Sequence, residues 1–385
     1  MSRRAVFSAP AFVVLACAAL LPACGSRNPA DDPEYAAACH GLPLLTPEAR
    51  NTALEDGFSI NRRFDCIDKR SWKAVQEANA LVNSMVAKAE REVAGQSART
   101  SQKLGDARQG FRTELGAPSS GRPLPNPPAE LFIRSDYDSP GIGKLPAWVT
   151  PDPRDGEKHA AIVWITGGES NSLDDFWTEG GADDNQSASA FRRAGMIMMF
   201  PTLRGGNSNA GRKEFFLGEV DDIIAAARHV ASLPYVDRVF LGGHSTGGTL
   251  ALLASESSDI FAGVFAFGPV SDPAVYGRDL LPFDLDSADP REHELRSPIY
   301  WLDSISTPTY LIEGMENPGN HAELETLCAK TRNESVKCVP VAGKNHFSVL
   351  DAATRKIAAR IVVGGGDDDA WLLRREEFPA GAARN

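Results

Sequence analysis

The chain has no Cys-x-x-Cys pair and no histidine spacing to match one, which argues against a structural metal site. No metal or other cofactor is expected. No segment repeats at a fixed period. That removes solenoids, and it removes β-propellers, which need several copies of a four-stranded blade. Positive charge is in deficit: 40 Lys and Arg stand against 51 Asp and Glu, a formal net charge of −11. Neither nucleic acid nor an anionic membrane surface is therefore expected as the main partner. Apolar residues are not scarce. At 42% hydrophobic over 385 residues, the chain can build a real core in one large or two modest domains.

The N-terminus reads as a targeting segment rather than as part of the fold. Ser2-Arg3-Arg4 is a charged start, Ala5 to Leu20 is mostly apolar, and Leu21-Pro22-Ala23-Cys24 follows. This is the pattern of a secretory signal, and its end resembles a bacterial lipobox with Cys24 as the lipidated residue. Pro22 is unusual there. Cys17 after Leu15-Ala16 is a second candidate, and an ordinary cleaved signal peptide is the alternative. The expectation is an exported lipoprotein of the bacterial cell envelope, held to a membrane by its N-terminal lipid. In an exported protein the remaining Cys39, Cys66, Cys328 and Cys338 suit two disulfides. Of the three possible pairings, the local one, Cys39–Cys66 with Cys328–Cys338, is preferred.

Four regions follow: a signal at 1–24, a helical extension with a linker at 25–128, a catalytic domain at 129–364, and a tail at 365–385. In the extension, Trp72, Val75, Ala78, Val82, Met85, Val86, Ala89 and Val93 recur at spacings of three and four, which predicts an amphipathic helix from Ser71. The linker, Gly116 to Pro128, carries Pro118, Pro123, Pro125, Pro127 and Pro128, too many for regular structure.

From Leu131 the pattern changes to strands alternating with helices. Strands are expected at 131–137, 145–150, 160–165, 196–200, 238–242, 263–267, 309–312 and 336–341. A helix is expected from Glu219 to Leu233, with Val220, Ile223, Ile224, Ala227 and Val230 on its apolar face and Glu219, Asp221 and Asp222 near its N-terminus. Short apolar strands alternating with helices predict an α/β fold, a mainly parallel eight-stranded sheet covered by helices. Catalytic residues in such sheets lie at the carboxyl ends of strands.

The chemistry centres on Gly243-His244-Ser245-Thr246-Gly247, a G-x-S-x-G sequence between a strand and a helix. Ser245 on that sharp turn is the expected nucleophile. Its hydroxyl needs a base, and His346, just past the last strand, completes the chain order Ser, acid, His. His244 is read as a packing or loop-ordering residue. The acid should lie just after the seventh strand. Glu316 is the first choice, Glu313 the second, and Asp272, after the sixth strand, the third. The oxyanion donors are expected at the Thr246 N–H and in the loop Gly167–Gly168 after the third strand.

These residues carry a resemblance. From about Leu131 to Val363 the chain resembles the catalytic domain of the prolyl oligopeptidase family within the α/β-hydrolase superfamily. The matching segments are the Gly-Gly loop, Thr202-Leu203-Arg204-Gly205-Gly206, Gly243 to Gly248, and Arg296-Ser297-Pro298-Ile299-Tyr300 leading to Thr307-Pro308-Thr309-Tyr310-Leu311. The resemblance implies serine-dependent cleavage of amide or ester bonds in a peptide or small-molecule substrate, with Ser245 and His346 as nucleophile and base. Three features depart from it. Asn317 stands where the family's aspartate is expected, Thr166 where a tyrosine often stands, and no propeller precedes the domain. A carboxylesterase and a non-catalytic binding scaffold are the alternatives.

Overall fold

The structure is a computed structural model. It describes residues 102–364 except 284 and 286–288, and outside that span Ile60–Asn61, Cys66–Ile67 and Leu372. The signal segment, Cys24, the helix expected from Ser71, the tail and the Cys39–Cys66 pairing lie outside the described residues. The chain divides into two compact units, Met1–Ser97 and Ala98–Asn385. In the first, Ile60–Asn61 pairs antiparallel with Cys66–Ile67.

The second unit is built on one eight-stranded sheet. Its strands are β1 (Ile133–Arg134), β2 (Ala147–Val149), β3 (His159–Ile165), β4 (Ile197–Pro201), β5 (Val236–His244), β6 (Gly263–Phe267), β7 (Thr309–Glu316) and β8 (Val336–Asn345). Their spatial order is β8-β7-β6-β5-β3-β4-β2-β1. Every pairing from β8 to β4 is parallel; β2 and β1 join antiparallel at one edge. The longer helices are α1 (Gly218–Ala231), α2 (Thr246–Ser257), α3 (His321–Lys330) and α4 (Val349–Gly364). This is the expected α/β-hydrolase sheet. One expected strand divides: the stretch 131–137 gives β1, and Tyr137 instead starts a separate hairpin, Tyr137–Ser139 with Gly143–Leu145.

Strand alternation makes two cores. Ala161, Val163 and Ile165 of β3 face α1 and α2, together with Val239 and Leu241 of β5. Ile162 and Trp164 face the opposite side, where Phe240, Phe265 and Phe267 meet Ile357 and Ile361 of α4. Both faces of the central strands are therefore apolar, as a sheet covered on both sides requires. The apolar stripe expected on α1 is buried along its length: Val220, Ile223, Ile224, Ala227 and Val230 all belong to the first core. A disulfide joins Cys328 of α3 to Cys338 of β8.

The loop after β4 is locked to α1 by a buried ion pair. Arg204 Nε and Nη2 donate to Asp222 at 3.0 and 2.9 Å, and the Arg204 backbone N–H donates to the same carboxylate at 2.8 Å. The bidentate geometry fixes the guanidinium plane.

Candidate active site

Ser245 sits between β5 and α2 with φ 56 and ψ −117, a region that costs a residue with a side chain about 1–3 kcal/mol. The surroundings enforce it. The Ser245 N–H donates to the Phe267 carbonyl at 2.7 Å, and the neighbouring glycines have no room for a side chain. A Cβ at Gly243 would lie 2.3 Å from the Gly247 carbonyl oxygen, and one at Gly247 would lie 2.3 Å from that of Ile165. The glycines that made the motif legible are thus sterically required, because α2 and β3 approach the turn backbone to backbone.

The loop after β3 lies against this turn. A Cβ on Gly167 would be 3.4 Å from that of Ser245, and Gly168 has φ +70. Thr246 is the first residue of α2, where helix geometry leaves N–H groups without intrahelical partners. Its side chain ties the two parts together: Thr246 Oγ1 donates to the Gly168 carbonyl at 2.9 Å. Ser170 Oγ lies 2.6 Å from Thr246 Oγ1 and donates to the Thr166 carbonyl at 2.8 Å. Nothing in the sequence marks Ser170 for this.

His346 follows β8 and is buried. Its Nδ1 is 2.9 Å from Glu313 Oε2, and Glu313 is fully buried. The other carboxylate oxygen accepts from the Gly314 N–H at 3.0 Å. Here the structure differs from the first expectation. Glu316 is exposed at the end of β7, beyond a register shift, and pairs with Asn345. The imidazole partner is the second candidate, Glu313, from inside the strand. The reason is reach. β7 runs four residues further than expected, and glutamate, one methylene longer than aspartate, spans the gap from an earlier position. Asp272, the third candidate, is occupied elsewhere. It caps a short 3-10 helix, Pro273–Tyr276, by accepting from the Ala274 N–H at 2.9 Å, and its other oxygen lies 2.5 Å from His293 Nε2. Burial would raise its pKa, but the bonds from His293 and Ala274 hold it below the ordinary value.

Six further residues shape the site. Gly268, just after β6, has φ +56, and a Cβ there would lie 2.4 Å from both Glu313 Oε2 and His346 Cε1. Its missing side chain is the space in which acid and base meet. Tyr276 stacks on Phe216, ring centroids 5.6 Å apart. Its hydroxyl lies 2.8 Å from Thr249 Oγ1, while burial keeps the phenol protonated by raising its pKa. Phe215 and Phe216 are left-handed, at φ 49 and 66. Buried Glu219 holds them there, accepting from the Glu214 and Phe215 N–H groups at 2.7 and 3.0 Å and from the Leu217 N–H at 3.2 Å. Asn171 Nδ2 donates to it at 2.9 Å. Burial raises the pKa of Glu219, and these donors oppose the rise. Read in sequence as a helix-dipole residue, Glu219 folds back to fasten the loop.

Two cavities flank the Gly167–Gly168 loop. One of about 190 Å³ is lined by Gly168, Thr246, Phe215, Phe216, Leu250 and Pro282. The other, about 390 Å³, runs past Thr166 and Gly167 to Asp174, Asp175 and Asp184.

A nucleophile turn, a buried carboxylate–imidazole pair and a glycine loop stand at the carboxyl ends of neighbouring parallel strands. This is the constellation of a serine hydrolase. Residues 183–362 match the model of the prolyl oligopeptidase family. That match covers a little under half of the chain. The matched span holds α1, the serine turn, Glu313 and His346 and begins after the Gly-Gly loop. Among solved structures, the chain is similar to a Mycobacterium tuberculosis puromycin-hydrolyzing peptidase, at 19% identity and a TM-score of 0.49, with 60% of this chain and 38% of that one covered. It is similar to the Pyrococcus horikoshii acylaminoacyl peptidase at 15% identity and a TM-score of 0.47, covering 64% of this chain and 43% of that one. A Pyrococcus furiosus esterase gives 14% identity and a TM-score of 0.48, covering 66% of this chain and 97% of that one. The chain thus spans about two fifths of the length of those peptidases. A comparison with curated proteins gives no match.

Proposed function

We propose that the chain is a serine hydrolase that cleaves peptide or ester bonds through an acyl-enzyme on Ser245. The observation that carries this is the buried Glu313–His346 bond beside a nucleophile turn whose strain the fold maintains. Ser245 Oγ attacks the carbonyl carbon as His346 Nε2 takes its proton. Glu313 orients the ring through Nδ1 and stabilises the imidazolium. The oxyanion is held by the Thr246 N–H with the Gly167–Gly168 backbone. His346 then returns the proton to the departing amine or alcohol, and water releases the acyl group by the same steps in reverse order. The two cavities beside the glycine loop suit the acyl and leaving groups.

The family match favours a peptide substrate. One observation favours a carboxylesterase: Thr166 is too short to supply the hydroxyl that a tyrosine gives at that place in many peptidases of the family. A fluorophosphonate probe tests the central reading. The protein should label and Ser245→Ala should not; an unlabelled parent protein would mean a binding scaffold instead. Turnover of peptide amides against short-chain esters then separates peptidase from esterase.

We also propose export and anchoring through lipidated Cys24, a reading supported by the N-terminal sequence alone. Cys24→Ala should move the protein from the membrane fraction to the soluble one. Unchanged retention would remove the anchor.

A further inference from the structure

His244 is the residue before the nucleophile, and its ring is 2% exposed. Its Nε2 lies 3.0 Å from the backbone carbonyl oxygen of His346. A carbonyl can only accept, so Nε2 carries the ring proton and Nδ1 is bare. The two imidazole planes are inclined at 41°, with centroids 4.4 Å apart, and the Phe347 ring centroid lies 5.6 Å from that of His244. The bare Nδ1 is buried, with no hydrogen-bond partner among the described residues. It faces Gly167: a Cβ on that glycine would come within 3.1 Å of it. One ring therefore touches both the oxyanion loop and the loop that carries the base.

The base loop is also tied through Asn345, whose Oδ1 accepts from the Phe347 and Ser348 N–H groups at 3.1 and 2.9 Å. The His346 N–H donates to the Pro318 carbonyl at 3.0 Å, and Glu313 holds Nδ1. The carbonyl of His346 is held by His244. Without that bond, the peptide between His346 and Phe347 keeps only its N–H tie, to Asn345 Oδ1, and can pivot about it, so the imidazole can tilt about its Glu313 contact. Nε2, the atom that must meet Ser245 Oγ, then sweeps the widest arc.

We propose that His244 is a positioning residue for catalysis. Its neutral Nε2–H fixes the base by holding the His346 carbonyl, while its ring sets the distance from the base to the Gly167 loop. The proposal rests on the reading of Ser245 and His346 as nucleophile and base. Neutrality belongs to the role: a cation at His244 would oppose the imidazolium that forms on His346, and burial holds the ring neutral at working pH.

The test compares three variants by steady-state ester hydrolysis and by the rate of fluorophosphonate labelling. His244→Gln places a carboxamide N–H near the position of Nε2. His244→Asn stops a bond short, and His244→Met fills the space without a donor. Misplacing a reacting group by about 1 Å costs on the order of 100-fold, so Met and Asn should lower kcat by about 10- to 100-fold with KM within about threefold. Gln should restore kcat to within a few fold of the parent. Equal kcat for the parent, Met and Asn variants would overturn the proposal, and so would a Gln variant as slow as Asn. If the Met variant does not fold, the Gln–Asn comparison decides alone. A parent protein that neither labels nor turns over defeats the underlying reading instead.

Discussion

Glu313 reaches His346 from within a β-strand, its Oε2 2.9 Å from Nδ1, with the carboxylate wholly out of water. A buried carboxylate facing an imidazole stabilises the cation more strongly than a solvated loop residue can, because little water screens the interaction. The cost of burial is offset by the Gly314 N–H on the other oxygen. The pair exists only because Gly268 leaves it room.

Gly268→Ala should therefore abolish the proposed hydrolysis while sparing the fold. The new methyl would meet both members of the pair at 2.4 Å, on a backbone at φ +56. We expect activity to fall by at least about 100-fold, with a stability loss of about 1–3 kcal/mol, as for other overpacked sites. Ester turnover and urea unfolding measure the two effects. A variant with parental turnover would show that the site does not need this space.

His244 should make the protein acid-sensitive. Burial first, and the charge of His346 second, lower its pKa from 6.5 to about 3. The folded protein keeps the ring neutral, while the unfolded chain binds a proton below about pH 6.5. Stability therefore falls as pH drops from there toward 3. At pH 5 the loss from this group is about 2 kcal/mol. His244→Gln removes the titration, so between pH 8 and pH 5 its unfolding free energy should fall by about 2 kcal/mol less than the parent's. Parallel pH dependence in parent and variant would contradict this.

Glu256, near the end of α2, is fully buried, and neither carboxylate oxygen has a partner among the described residues. Burial raises its pKa well above 4.5. The folded state keeps the proton that the unfolded chain releases above that pH, so stability declines as pH rises. Glu256→Met should stabilise the protein at pH 8 by about 1–3 kcal/mol, the usual cost of an unsatisfied buried polar group. The gain should shrink toward pH 4.5. Thermal unfolding at the two pH values checks it, and a destabilised Met variant at pH 8 would contradict it.

The sheet was legible because its strands are short apolar runs, and the serine turn because close backbone approach demands glycine on both sides. His346 was legible by chain order. The acid was not. Its position depends on where β7 ends, and the strand continues through Gly314, a residue that reads as a terminator. Gly268 and His244 were visible as residues, but their roles are contacts across the sheet edge that no local pattern records. Ser170 and the left-handed Phe215–Phe216 pair belong to the same class: hydrogen bonds to distant backbone decide them.

The most direct measurement is kcat/KM for hydrolysis of an activated ester by the parent, Glu313→Gln and Glu316→Gln. The amide at 313 keeps the shape of the pair but not its charge, and the comparable change in a serine triad costs about 10⁴-fold. Glu313→Gln should lose about 10³- to 10⁴-fold, and Glu316→Gln should stay within about twofold, as expected for an exposed residue away from the site. A Glu313→Gln enzyme near the parental rate, or a collapse at Glu316→Gln, would contradict the account of how this site works.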